Sequence, residues 1–239
     1  KAGLDVPSDW FEFVAAAPAL RDAGVVPLAM GQQAWQTDLA FGAIQVAVGG
    51  TDLYLDVLTN KNADAAASAD MTKVFEAYAD ARLLSVGSNV NDWNQATNLV
   101  ITGQAGGQIH GDWAQGEFQV ANQVAGEDYS CLPGLGVNEI IATGGDAFYF
   151  PKQDDPAIEA AQKELAQLMI SKEVQVAFNL KKGSLPIRGD VDLSAANDCM
   201  KKGLSILAAG NVLPDGVNAF SADTAGQMAD LMVEFWNDT

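Results

Sequence analysis

The stretch QAGGQIHGDWAQGEF at residues 104–118 constrains the fold more than any other segment. A short Gly-flanked apolar run, Gly107-Gln108-Ile109, reads as a strand, and an amphipathic helix opens at Gly111-Asp112-Trp113. The glycines let the backbone turn sharply between them. Side chains at such a strand-to-helix corner of an α/β sheet point into the crevice where ligands bind. This corner presents a carboxylate, Asp112, beside an indole, Trp113. An indole packs on the C–H face of a sugar ring, and a carboxylate accepts from its hydroxyls. The alternative, a Trp plugging the core behind an Asp that caps the helix, stays open on these residues alone.

The chain of 239 residues suffices for one large domain or two small ones. A hydrophobic content of 49% sustains a real core. No apolar run approaches the length of a membrane span. Thirteen basic against 31 acidic residues leave a formal net charge of −18. Such a surface repels nucleic acid and anionic membranes and suits a neutral or cationic ligand. Cys131 and Cys199 lie far apart and form no C-x-x-C, so zinc and thioredoxin-like chemistry lose their main signature. The two are either buried thiols or one long-range disulfide, and the second needs an oxidising compartment. The opening Lys-Ala-Gly-Leu carries no signal-peptide pattern, as expected of a mature or trimmed chain.

Helices and strands alternate. Ser8 is the expected N-cap of a helix running to about Asp22, with Pro18 kinking or shortening it and Gly24 ending it. Val25–Ala29 is a strand, Gly31–Ala34 a turn, and Trp35 to about Val48 a buried helix stopped by Gly49-Gly50. The Ala-rich stretch 63–69 is helix material, and Asp70–Leu84 is an amphipathic helix. Asn91 caps a helix from Trp93 to Thr102. Tyr129–Pro133 and Ala147–Phe150 read as strands. A strong helix runs from Pro156 to Met169, and another starts near Ser171. Lys181–Arg188 is an extended basic loop, and the rest, from about Ser194, is mostly helical with a break at 214–216.

The P-loop, the dinucleotide fingerprint, H-E-x-x-H and G-x-S-x-G are all missing. No cofactor is signalled, and one histidine cannot build a metal site alone. The only histidine, His110, stands two residues before Asp112. On a shared strand both would face one side, and such a pair could do acid–base work. With no nucleophile marked out nearby, a hydrogen-bonded structural histidine is the expected role.

The segments KAGLDVPSDWFEF, VPLAMGQQAWQ, DWNQATNLVITGQAGGQIHGDWAQGEF, DYSCLPGLG, GGDAFYFPKQ, FNLKKGSLPIRGDVD and VEFWNDT together resemble one family. It is the extracytoplasmic solute-binding proteins of bacterial ABC sugar importers, with the glucose/mannose-binding branch of Gram-negative bacteria the nearest match. GDWAQGEF and KKGSLPIR are the specific parts. The resemblance implies a two-lobed α/β fold of the type II periplasmic-binding-protein class with one lobe largely absent from this chain. Residues 1–142 would form the carboxy-terminal lobe, 143–190 a segment returning to the amino-terminal lobe, and 191–239 a helical crossover back. The partners implied are a monosaccharide and a membrane permease. The location implied is the periplasm, and the state a monomer that needs the other lobe. Alone, the chain should expose the apolar faces of the 147–150 strand and the 156–180 helices.

The resemblance also carries over contacts. Trp35 falls at an aromatic platform of the sugar cleft, with core packing as its structural alternative. Gln33 falls in the matching turn, able to reach hydroxyls. Trp113 matches a ring-stacking position and Asp112 a hydroxyl acceptor or cap. Asp146 matches a cleft carboxylate at the crossover, and Lys182 a lysine facing the sugar. Asn218 stands where the glucose-binding branch has a histidine. It offers a donor and an acceptor, but not the same reading of a hydroxyl. Cys131 and Cys199 fall where that branch carries cysteines, which implies a disulfide. Two other functions fit the residues: a carbohydrate-active hydrolase with Asp112 and Asp146 as paired carboxylates, and a receptor for cations such as polyamines.

Overall fold

The computed structural model describes residues 3–145, 147–214, 216 and 219–238. Asp146 and Asn218 of the expected site lie outside the described residues.

Helix α1 (Trp10–Asp22) leads to strand β1 (Val26–Ala29) and helix α2 (Ala34–Ile44). Its cap is Asp9, whose carboxylate accepts from Glu12 N. The expected cap, Ser8, instead donates to the Glu12 carboxylate at 2.8 Å from both its N and Oγ. The helix runs on through Pro18. Pro18 sits on the exposed face, while Ala17 and Leu20 are buried beside it. That burial holds the turn despite the lost backbone bond. Gly24, at φ +72°, ends the helix as expected.

After α2 the backbone widens into a π-turn over Gln45–Gly49. Gly50, at φ +81°, breaks the helical path, and α3 (Gly50–Leu58) starts at once in a new direction. The Ala-rich stretch splits into α4 (Ala63–Ala66) and the start of α5 (Ala69–Leu84), which Ser68 caps. Next come α6 (Trp93–Ile101), capped at Asp92 rather than Asn91, and strand β2 (Ala105–Gln108). A 3-10 turn over Asp112–Ala114 opens α7 (Gln115–Val120).

Strands β1 and β2 pair in parallel, Val26 opposite Ala105 and Ala29 opposite Gln108. The β2 glycines serve packing rather than the turn. A Cβ on Gly106 would lie 2.7 Å from Leu20 Cδ1, and one on Gly107 3.0 Å from Phe13 Cε2. Their small size lets α1 close on the strand pair. α1, β1 and α2 share a core with α5 and the last helix, α11. Trp10, Leu28, Phe41, Ile44, Val74, Tyr78, Ile109 and Trp236 are all buried there. Tyr78 Oη donates to the Thr37 carbonyl at 3.1 Å, and burial pushes its phenol up from the usual range.

Tyr129–Pro133 is not a strand. Tyr129 makes one bridge with Ala125, and Pro133–Gly136 is a 3-10 turn. Strand β3 (Ile141–Thr143) follows. Ala147–Phe150 forms no strand either and joins neither of the two sheets. Phe148 and Tyr149 are 63% and 88% exposed.

Helix α8 (Pro156–Met169) buries no residue. With α9 (Lys172–Lys182), it leaves Ile158, Leu165, Leu168, Ile170 and Phe178 exposed. Lys181 and Lys182 close α9 instead of opening an extended loop, and Gly183 ends it in the left-handed region at φ +79°. The chain closes with α10 (Asp198–Ala208), strand β4 (Val212–Pro214) and α11 (Ala222–Asp238). β4 pairs in parallel with β3, and both rest on a small cluster of Val46, Tyr54, Leu58 and Leu213. Cys131 and Cys199 are joined in a disulfide, Cα–Cα 5.5 Å, tying the 3-10 loop region to α10. No helix among the described residues is long and apolar enough to cross a membrane.

Candidate functional site

In a parallel α/β arrangement, ligands bind beyond the carboxyl ends of the strands. Two loops leave those ends here: residues 30–33 after β1 and 109–111 after β2. A third loop, 88–92, is stitched to the first. Ser88 Oγ accepts from Met30 N and donates to Met30 O, both at 2.9 Å. Gly31 bridges Val90, and Gln32 N donates to Asn91 O at 3.1 Å. Gly31 is needed for its size, since a Cβ there would lie 1.9 Å from Gln36 Oε1.

The three loops each deliver a tryptophan in the first turn of the helix that follows. Trp35 opens α2, Trp93 opens α6, and Trp113 stands in the 3-10 turn before α7. All three converge on His110. Its ring centroid lies 5.4 Å from Trp35, 5.3 Å from Trp93 and 5.1 Å from Trp113, edge-on to the last two. Gly111 makes this possible, because a Cβ there would lie 2.1 Å from Trp113 Cζ3. Its φ of −75° suits any residue, so the constraint is the folded-back indole.

His110 lies past the end of β2, not on it, and departs from the expected hydrogen-bonded role. Nδ1 and Nε2 are both buried and have no hydrogen-bond partner among the described residues. Burial pushes the imidazole down to about 4, so it is neutral at physiological pH.

Trp35 is 42% exposed, which removes the core-packing alternative for it. Its indole N–H donates to Gln33 Oε1 at 2.7 Å. The same oxygen accepts from Gln36 Nε2 at 3.2 Å, while Gln33 Nε2 donates to Asp92 Oδ1 at 2.5 Å. Gln33 thus braces the first indole against the cap of α6. Trp93 is braced separately. Gln108 Nε2 and Thr97 Oγ1 donate to its carbonyl at 3.0 and 2.9 Å.

Trp113 is half-buried, and Asp112 is exposed inside the first turn while Gly111 takes the cap position. Lys182, at the end of α9, comes to the same corner through its backbone. Its carbonyl would lie 3.6 Å from a Cβ on Gly116. Gln119 Nε2 donates to Leu180 O at 3.0 Å and Gln115 Nε2 to Gly183 O at 2.6 Å. These two bonds satisfy carbonyls that a helix end leaves open. The lysine ammonium stands 5.6 Å from the Phe178 ring centroid.

The structure therefore brings Gln33, Trp35 and Trp113 together and sets Asp112 beside them. Trp93, Asp92 and the central place of His110 escaped sequence reasoning. The signal for Trp93 was present: three tryptophans, at 35, 93 and 113, each within two residues of a helix cap.

Residues 1–176 match the model of the family described as bacterial extracellular solute-binding protein. A probable sugar-binding periplasmic protein of Mesorhizobium japonicum is 36% identical over 213 residues, covering 88% of this chain and 51% of that protein. The chain thus spans about half the length of this curated relative. Among solved structures, a chitin oligosaccharide binding protein aligns with a TM-score of 0.73 at 17% identity, over 98% of this chain and 61% of the other. The bacterial solute receptor AcbH, with its preference for β-D-galactopyranose, aligns with a TM-score of 0.67 at 21% identity, over 99% and 61%.

Proposed function

The chain belongs to the bacterial extracellular solute-binding protein family, and from that membership we propose that it forms one wall of the sugar cleft of a periplasmic receptor. That receptor closes around a monosaccharide, glucose-like in size and polarity, and presents it as a monomer to an ABC transporter permease in a Gram-negative bacterium. It performs no catalysis. Hinge closure of two lobes on the ligand supplies the signal to the permease. Residues 1–142 make the carboxy-terminal lobe, 143–190 return to an amino-terminal lobe outside this chain, and 191–239 cross back.

The observation that carries this reading is the pair of accessible indoles at the carboxyl ends of two parallel strands. Trp35 is 42% exposed, Trp113 is half-open, and amides and carboxylates, Gln33, Asp92 and Asp112, stand around them. Flat aromatic faces beside fixed acceptors suit a ring with one apolar face and a hydroxyl edge. Lys182, Asp146 and Asn218 complete the proposed contact set.

Titration of the intact protein with a monosaccharide panel, followed by tryptophan fluorescence and calorimetry, tests the reading. Trp35→Ala and Trp113→Ala should each cost about 2 kcal/mol or more of affinity, as buried aromatic anchors do. Unchanged curves for both variants overturn the assignment. Turnover of an aryl glycoside would make Asp112 part of a hydrolase instead.

A further inference from the structure

A buried imidazole whose two nitrogens find no hydrogen-bond partner among the described residues is costly. Leaving a donor or acceptor unsatisfied costs the desolvation of that group with nothing to offset it. If His110 served packing alone, a phenylalanine would fill the same space among three indoles without that cost. The nitrogens are therefore best explained by a partner that arrives. We propose that His110 is a ligand-binding residue of the cleft, hydrogen-bonding a sugar hydroxyl that enters between Trp35 and Trp113. This rests on the sugar-receptor reading above.

Three features of the geometry support it. The imidazole lies between the proposed stacking faces, with centroids 5.4 and 5.1 Å away. A hydroxyl on a ring stacked against either indole is thus directed toward it. Being neutral, the imidazole offers one N–H donor and one acceptor, which matches a hydroxyl able to do both. The cover over it is uneven. Trp93 and Trp113 are half-buried, and Gln108 and Thr97 fix the Trp93 backbone through its carbonyl. Trp35 is the open one, and its side-chain bond to Gln33 lies at an exposed position. Trp35 is thus the most accessible of the three rings, and in the proposed mode its indole gives up the bond to Gln33, receives the sugar face and uncovers His110.

The experiment uses the intact protein and its best-binding monosaccharide. The ring nitrogens of His110 are followed by 15N NMR of histidine-labelled protein, with the signal assigned by its loss in His110→Phe. That variant keeps the ring and removes both nitrogens, and its melting temperature checks the fold. The expected result is a shift of the imidazole nitrogens on saturation, together with an affinity about tenfold lower in the variant. A deoxy sugar lacking the contacted hydroxyl should bind both forms alike.

If sugar binds but the imidazole does not shift, His110 is a packing residue and the proposal falls, whatever the variant's affinity. A shift with unchanged affinity in the variant marks a ring-current effect of the moved indole, and overturns it too. If no sugar of the panel binds the wild type, it is the receptor reading that fails, and this inference with it.

Discussion

His110 also ties the fold to pH. Burial holds its imidazole down at about 4 against an ordinary value near 6.5. Between those values the unfolded chain binds a proton that the folded one does not. Stability therefore rises with pH across that window. It is complete above about 6.5, declines as the pH falls through the window, and flattens below about 4, where both states are protonated. The shift bounds the loss at about 3 kcal/mol. Other groups add their own acid dependence. Asp190, held low by Arg188 and Lys172, loses its contribution at more acidic pH. A difference measurement isolates the histidine. Urea unfolding of wild type and His110→Phe at pH 7 and pH 4.5 should show a smaller acid loss in the variant, and equal losses would place the imidazole in water.

At the scale of elements, side-chain bonds at helix ends hold the site corner together. Gln115 is 6% exposed. Its amide bonds Gly183 O at 2.6 Å and accepts from Asn197 Nδ2 at 3.0 Å. One residue of α7 thus joins the end of α9 to the cap of α10. The disulfide anchors that cap's own helix to the 3-10 loop region. Its sequence separation of 68 residues corresponds to about 3–5 kcal/mol of stabilisation by chain entropy, the mechanism being model-dependent. A Cys131→Ser, Cys199→Ser double variant should lose that much in urea unfolding, with the sugar-site indoles undisturbed in near-UV circular dichroism. No loss would show that the bridge is redundant with packing.

Elements whose signals are local were legible in the sequence. α5, α8 and α9 follow from periodicity and caps, and Pro156 and Ser171 stand where a first turn and an N-cap should. Caps at Ser8 and Asn91 were misread by one residue because an Asp follows each and competes for the same role. β3 and β4 were unreadable because three-residue strands have no period, and each finds its partner only across the intervening helices. The site was half-legible. Trp35, Trp113 and Gln33 sit in recognisable turns, whereas the meeting of three indoles on one imidazole depends on loops brought together by strand pairing.

At the scale of the whole molecule, the packing is lopsided. Residues of α1, β1, α2, α3 and α5, with α11, surround a buried aromatic core. α8 buries nothing, and Phe148, Tyr149 and Phe150 stand in solvent. Helical stability comes mostly from packing, since isolated helices of this length are marginal. α8 has 14 residues and one i,i+4 ion pair, Lys163–Glu159, at its exposed surface. Such a pair contributes only about 0.3–0.5 kcal/mol. α9 differs along its length. Its last turn is bonded to α7 through Gln119 and Gln115, and Asn179 within it is buried. Hydrogen exchange of the 239-residue chain should therefore grade along this segment. Amides of 147–170 should exchange fast, those of the last turn of α9 slowly, and those of β1, α2 and α5 slowest. In the intact protein, where the proposed amino-terminal lobe would cover the apolar face of α8, protection of 147–170 should rise to that of the core and sugar binding should appear with it. Full protection of α8 in the chain alone would mean that its exposed leucines and isoleucines need no cover. The assignment of 143–190 to a second lobe would then be wrong.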